Sequence, residues 1–104
     1  MIHNQTMLEI IQSDDFKAWH GDLRDLIARA RITSRLRLAE QGNLGDWKFL
    51  RDGVSELRVD VGPGYRIYFT RRGNTVVVLL CGGDKRKQSA DIARAIELAK
   101  NWKE

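Results

Sequence analysis

The sequence predicts a small α+β domain with the element order β-α-α-β-β-β-α. We expect a mainly antiparallel sheet, a helical hairpin packed on one of its faces, and a C-terminal helix. Three observations support this prediction: apolar residues recur at helical spacing in the first half, residues 55–81 alternate between apolar and polar, and Gly-rich turns separate the alternating runs. A length of 104 residues fits one domain, which we take to span residues 1–104.

The first half predicts a strand followed by two helices. Thr6–Ser13 is predicted to be a strand, and Ser13 is placed to cap a helix whose first turn is acidic. A long second helix is predicted over Asp22–Gln41, because its apolar residues recur every three or four positions. Gly42 is typical of the residue that ends such a helix.

The second half predicts three strands and a helix. The predicted strands are Ser55–Val61, Tyr65–Thr70 and Thr75–Cys81. Turns at residues 62–64 and 73–74 connect them, and Gly82-Gly83 is predicted to break the third strand. The last helix is expected to run from Ser89, its cap, to Trp102.

The predicted turns determine strand register and therefore the two faces of the sheet. A three-residue turn at 62–64 would pair Arg58 with Tyr68, and a two-residue turn at 73–74 would pair Tyr68 with Leu79. The face under the helices would contain Leu57, Val59, Ile67, Phe69, Val76, Val78 and Leu80. The outer face would contain Arg58, Arg66, Tyr68, Val77, Leu79 and Cys81.

The composition is that of a soluble globular protein and excludes several classes. Hydrophobic residues make up 42% and charged residues 31%. One cysteine and two histidines are too few for a disulfide framework or a ready zinc site, so we predict no metal and no cofactor. The N-terminus lacks the features of a signal peptide, and no apolar stretch approaches the roughly 20 residues that span a bilayer. We therefore expect a cytoplasmic protein that does not contact a membrane.

Positive charge is concentrated in the C-terminal half. Residues 1–57 contain 8 Lys and Arg against 9 Asp and Glu, whereas residues 58–104 contain 10 against 5. The two parts therefore carry −1 and +5, which together give the formal net charge of +4. This asymmetry favours a polyanionic partner, although a mildly basic surface also serves solubility.

The arginines of the outer face and a basic run behind the last strand form the candidate site. Arg58, Arg66 and the run 85–87 could converge on a phosphodiester, because a guanidinium binds two phosphate oxygens at once. Tyr68 would stack on a base or donate a hydrogen bond. The alternative is a solvated face with a charge run at a helix start, where cations are unfavourable.

Other reactive or aromatic side chains fit a role in packing. Cys81 has no histidine near it in sequence and is predicted to be a buried thiol. The tryptophans at positions 19, 47 and 102 are too far apart to form a visible motif, so we assign them to core or edge packing. No glycine-rich phosphate loop with its lysine is present.

Several segments together resemble a known family. They are Gly42-Asn43-Leu44-Gly45-Asp46, Leu50–Arg58, the GPGYRIY block at 62–68, the LLCGGDK block at 79–85, and Asp91-Ile92. These segments are similar to the HigB-like addiction module killer group of the RelE/ParE toxin superfamily. The resemblance covers nearly the whole chain from about Phe16 onward. It implies a compact sheet with two helices on one face and a third helix at the C-terminus.

The resemblance also implies a function. It predicts the toxin of a type II toxin–antitoxin system, neutralised by a small helix-turn-helix antitoxin like HigA. RelE- and HigB-like members cleave mRNA in the ribosomal A site, so we expect a metal-independent endoribonuclease, an mRNA interferase that inhibits translation. ParE-like members instead poison DNA gyrase, which is the alternative. A non-toxic nucleic-acid-binding module is a third possibility.

The resemblance assigns roles to individual residues. Arg66 matches the strand arginine that holds the scissile phosphate, and Arg58 lies where a cation is expected on the neighbouring strand. The run 85–87 occupies the place of the family's basic segment before the last helix, and we expect Lys85 or Lys87 of this run to assist proton transfer. The expected RNA contacts are Arg86, Tyr68 and Lys48. RelE-like enzymes can carry a tyrosine in the last helix, but none is present at 89–92, so the general base is unassigned.

Two surfaces are candidates for the antitoxin. One is the outer sheet face, where Val77 and Leu79 would form an apolar centre among cations. The other is the cationic stripe of the long helix, formed by Arg24, Arg31 and Arg35. An antitoxin segment with acidic residues would complement either surface. The alternative is that the C-terminal helix itself packs on the outer face.

Overall fold

A computed structural model describes residues 7–103 and shows one five-stranded sheet with helices on both faces. The strands are β1 (Glu9–Gln12), β2 (Trp47–Arg51), β3 (Val54–Val59), β4 (Tyr65–Arg72) and β5 (Val76–Asp84). The helices are α1 (Asp14–Asp22), α2 (Leu26–Glu40) and α3 (Gln88–Asn101), and the 3-10 turn Lys85–Lys87 precedes α3. The strand order is β1-β5-β4-β3-β2, with only β1 parallel to its neighbour, which confirms the predicted α+β class.

The helices begin where side chains satisfy free backbone N–H groups. Ser13 caps α1 as predicted, since its hydroxyl accepts from the N–H of Phe16 at 3.0 Å. The second helix begins later than predicted, at Leu26, because the carboxylate of Asp25 caps it. Ser89 is not a cap: Lys87 holds that position, without a side-chain hydrogen bond. Within residues 7–103, no helix has the length and apolar character needed to cross a membrane.

β2 is the strand that sequence reasoning missed. It forms a hairpin with β3 around Asp52 and Gly53, which both have positive φ, at 51° and 77°. Both central residues of a type I′ turn require this conformation. The side chains of β2 are mostly exposed, so burial gave no clear pattern, but the Asp-Gly dipeptide was an available hairpin signal. At the other edge, β1 is shorter than predicted, and Thr6 lies outside the described residues.

The strand registers differ from the predicted ones because both connecting loops are longer than assumed. Val59 pairs with Tyr65, which leaves residues 60–64 as the loop, and Arg72 pairs with Val76, which leaves residues 73–75. Arg58 therefore faces Arg66 and not Tyr68. A register shift next to Tyr68 also inserts one extra residue into β5.

The changed register moves β5 residues between the two faces of the sheet. Val77 and Leu79 belong to the core beneath α1 and α2, so their predicted place on the outer face is wrong. The opposite face is covered by α3 in a second core, formed by Val54, Tyr68, Val78, Leu80, Cys81, Ala95 and Ile96. The alternative in which the C-terminal helix packs on the outer face is therefore the observed one.

Candidate nucleic-acid interface

The cations predicted to bind phosphate lie at one end of the sheet. Arg58, near the end of β3, and Arg66, near the start of β4, are direct cross-strand partners. Arg66 also pairs with Gly83 on β5, two residues before the basic turn Lys85–Lys87 begins. The structure therefore brings both arginines and the basic turn to the same end of the sheet.

Arg66 forms a largely buried ion pair with Glu56. Its Nε lies 3.7 Å from Glu56 Oε1, and the two side chains are 13% and 5% exposed. Nη1 donates to the carbonyl of Tyr65 at 3.2 Å, while Nε has no hydrogen-bond partner among the described residues. The guanidinium is thus held in place with part of its donor capacity unused.

Arg58 is held by the loop before β2. Its Nε and Nη2 donate to Asp46 Oδ1 at 3.1 and 2.7 Å, and this hydrogen bonding lowers the pKa of the Asp46 carboxyl. Arg35 on α2 supports the same loop by donating to the carbonyls of Leu44 at 3.0 Å and Asp46 at 3.2 Å. Arg35 was predicted to contact the antitoxin, but its guanidinium N–H groups bind backbone carbonyls of this chain.

The basic turn packs against the glycine-rich turn between β3 and β4. The N–H of Lys85 donates to the carbonyl of Gly64 at 3.1 Å, and a Cβ at Gly64 would lie 2.9 Å from Lys85 Cε. Arg86 pairs with Asp84 at 2.9 Å. Lys85 and Lys87 are exposed, and neither has an ion-pair partner within residues 7–103. These two ammonium groups are therefore available to an anionic ligand.

Tyr68 and Lys48 differ in their access to solvent. Tyr68 is completely buried beneath α3, so its predicted role as a stacking contact with RNA is wrong in this arrangement. Burial, followed by the nearby charge of Glu56, raises its pKa, and its hydroxyl has no hydrogen-bond partner among the described residues. Lys48 is exposed on β2 directly opposite Glu56, which places it on the face that also carries Arg58.

Of the residues predicted to bind the antitoxin, only two remain accessible and unengaged. Val77 and Leu79 are 1% and 0% exposed, so their predicted contact with a partner is wrong. Arg24 is exposed just before the N-cap of α2, and Arg31 is exposed on the helix itself. Two apolar side chains lie beside them, Leu26 at 70% and Ile27 at 67% exposure.

A cavity that sequence reasoning missed opens at the edge of β5. It has a volume of about 420 Å³. Its lining residues are Trp19, Leu23, Tyr65, Gly82, Gly83, Asp84, Arg86, Lys87 and Asp91. Gly82 and Gly83, predicted as a strand break, continue β5 and allow this close packing, because a Cβ at Gly82 would overlap Trp19 and one at Gly83 would overlap Asp91. The adjacent glycines were the sequence signal at this place, but they were interpreted as the end of a strand and did not indicate a cavity.

Asp91 is the unusual carboxylate of this cavity. Burial raises its pKa, and its Oδ2 is buried without a hydrogen-bond partner among the described residues. Cys81 lies nearby and donates its thiol to the Asp91 carbonyl at 3.7 Å. Burial raises the pKa of Cys81 to about 12, which fits the predicted buried thiol. Among the described residues, no group of three His, Cys, Asp or Glu could hold a metal ion.

The observed fold, a compact sheet with α1 and α2 on one face and a third helix at the C-terminus, is the one that a resemblance to RelE-like toxins implies. The family described as phage-derived protein Gp49-like (DUF891) matches residues 14–104, and the chain belongs to this family, which is a RelE-like toxin family. A toxin family implies a cognate antitoxin as partner.

One curated relative shares most of its length with this chain. An uncharacterized protein of Haemophilus influenzae is 45% identical over 84 residues, which are 81% of this chain and 85% of the relative. No solved structure matches the chain.

Proposed function

We propose that this protein is a HigB-like toxin that cleaves mRNA on the ribosome in the cytoplasm without a metal ion. The observation that supports the proposal is the cross-strand pairing of Arg58 with Arg66 at the end of the sheet where the basic turn Lys85–Lys87 begins. Two arginines and two exposed lysines can bind one phosphodiester from several sides.

The chemistry uses the substrate's own nucleophile. The 2′-hydroxyl attacks the adjacent phosphorus while Arg66 and Arg58 stabilise the charge that develops on the phosphoryl oxygens. The bond to the 5′-oxygen breaks, a 2′,3′-cyclic phosphate forms, a water molecule accepts the proton that the 2′-hydroxyl loses, and Lys85 or Lys87 donates a proton to the leaving oxygen. The ribosome would supply much of the rate enhancement by holding the mRNA in line for attack.

The test is cleavage of a defined mRNA by purified protein on ribosomes with an empty A site. Arg66→Met is made in a Glu56→Gln background, so that no buried carboxylate is left without its partner, and is compared with Glu56→Gln alone. Arg71→Met is the matched control, because Arg71 is an exposed arginine of the same strand.

Loss of Arg66 should lower the cleavage rate by about 100-fold, since it removes donors that stabilise the transition state. The Arg71 variant should cleave like the wild type. Undiminished cleavage after loss of Arg66 would disprove the role of this residue. A wild-type protein that leaves the mRNA intact would disprove the nuclease.

The second candidate function is gyrase poisoning, in which the toxin binds and has no catalytic residues. Two features favour it: residues 89–92 of α3 contain no tyrosine, and both arginines already have carboxylate partners. A DNA-damage response with intact mRNA in cells, and inhibition of purified gyrase, would support this function. Rapid translation arrest with cut mRNA would support the nuclease.

We propose that the partner is a HigA-like helix-turn-helix antitoxin that covers the outer surface of α2. There, Leu26 and Ile27 are exposed beside Arg24 and Arg31, a combination suited to a segment with apolar and acidic residues. Hydrogen exchange of the toxin with and without antitoxin tests this. Residues 24–37 should gain protection in the complex, and unchanged exchange there would disprove the proposed surface.

A further inference from the structure

The cavity lined by Trp19 and Asp91 lies where the sheet is open. β1 pairs with β5 only along Val76–Leu79, so the following part of β5 has β4 on one side and no strand on the other within the described chain. Alternate residues of an antiparallel strand direct their N–H and C=O groups away from the paired neighbour. The floor of the cavity therefore offers backbone polar groups.

The walls of the cavity have different chemistry. On one side, Trp19 and Tyr65 lie edge to face with ring centroids 6.0 Å apart, and Leu23 extends this apolar wall. On the other side lies Asp91, and the cations Arg86 and Lys87 also line the cavity. Aromatic rings beside a carboxylate, with cations close by, suit a planar base attached to a phosphate.

Asp91 is the carboxylate of the cavity that has unused acceptor capacity. The other carboxylate of the cavity, Asp84, already accepts from the side chain of Arg86 at 2.9 Å. Asp91 has an oxygen with no hydrogen-bond partner among the described residues. Oδ2 is buried against Gly83, and a turn about the last torsion of the side chain, which is soft in aspartate, would bring it towards the cavity.

We propose that this cavity binds an unpaired guanine base. Guanine presents two adjacent donors, N1–H and the N2 amino group, and a carboxylate accepts both. Adenine and cytosine place a ring acceptor beside their amino group, and uracil has a single ring N–H, so none of them offers two adjacent donors. The volume of about 420 Å³ lies within the usual range of small-ligand sites, about 300–1,000 Å³.

The inference deepens the proposed function and rests on it for the source of the base. Lys87 lines the cavity and belongs to the basic turn that lies next to Gly83, the β5 partner of Arg66. A guanine in the cavity would therefore place a neighbouring phosphate towards that turn. For an RNA substrate, this predicts cleavage next to a guanine.

The test is a titration of the full chain followed by the indole N–H resonances of its tryptophans. The titrants are guanosine monophosphate, adenosine monophosphate, and an uncleavable RNA trinucleotide with guanine at its centre. Guanosine monophosphate should shift the Trp19 resonance and leave that of Trp47, on β2, unchanged. Asp91→Asn should weaken guanosine binding roughly tenfold. Asp22→Asn, at an exposed carboxylate of α1, should not weaken it.

Equal shifts with the guanine and adenine nucleotides, or no shift of Trp19 with any titrant, would overturn the proposal. A trinucleotide that binds more tightly than the mononucleotide supports guanine within an RNA chain, whereas equal binding supports a free guanine nucleotide. The titration needs no ribosome, so a wild type that fails to cleave mRNA would overturn the nuclease function and leave the guanine site to be decided by binding.

Discussion

The buried ion pair between Arg66 and Glu56 allows a quantitative prediction of stability. Arg66→Met removes the guanidinium but keeps much of the aliphatic volume, which leaves a carboxylate that is 5% exposed without its partner. At 3.7 Å and an effective dielectric constant of about 20, the lost Coulomb attraction is about 4.5 kcal/mol. Removal of one partner of a buried pair typically costs about 3–5 kcal/mol. Because Arg66 is 13% exposed, we expect Arg66→Met to lower the free energy of unfolding by about 3 kcal/mol, the lower end of this range.

The measurement is a double-mutant cycle by urea denaturation. The free energy of unfolding is compared for the wild type, Arg66→Met, Glu56→Gln and the double variant. The double variant should be more stable than Arg66→Met alone, because no unpaired charge is left, with a coupling energy of about 2 kcal/mol. A loss below about 1 kcal/mol in Arg66→Met, or additive effects of the two changes, would refute the reasoning, since both indicate a pair screened by water.

Three further substitutions test other parts of the structure. Gly82→Ala should lower the free energy of unfolding by about 1–3 kcal/mol, because its methyl group would overlap the Trp19 ring, whereas Gly21→Ala, in open space, should show no such loss. Tyr68→Phe should leave stability unchanged or raise it by up to about 1 kcal/mol in thermal unfolding, because it removes a buried hydroxyl without a partner. Burial raises the pKa of Asp91 above 3.8, so the folded state retains this proton to higher pH than the unfolded state, and stability falls as pH rises through that window. Asp91→Asn should therefore unfold at higher urea concentration than the wild type at pH 7 and at the same concentration well below pH 3.8; equal midpoints at pH 7 would contradict the raised pKa.

Local signals predicted most of the elements correctly. Ser13 followed by an acidic turn specifies a helix start through backbone hydrogen bonding, and the structure confirms it. The strands β3 and β4 were recognisable because their apolar residues alternate at the period of a strand. Such signals depend on residues close in sequence, so they can be recognised without knowledge of the tertiary fold.

Register and face assignment required the tertiary structure. The two loops that connect β3, β4 and β5 are each longer than the turn signals within them indicated. A difference of one residue in register places every side chain of a strand on the other face. For this reason Leu79, which was predicted on the outer face, is buried under α1 and α2. The cover of the outer face by α3 is also a packing result, and it is why Tyr68 has no access to solvent.

The candidate site divides in the same way. The sequence by itself determined the basic C-terminal half, and its resemblance to a family predicted Arg58 and Arg66 as site residues. Only the tertiary structure decided that these arginines are cross-strand partners, and that Trp19 and Asp91, from helices far apart in the chain, meet at one cavity. The physical reason is that adjacent glycines in β5 let two helices approach from opposite faces of the sheet, a contact between distant segments that no local pattern encodes.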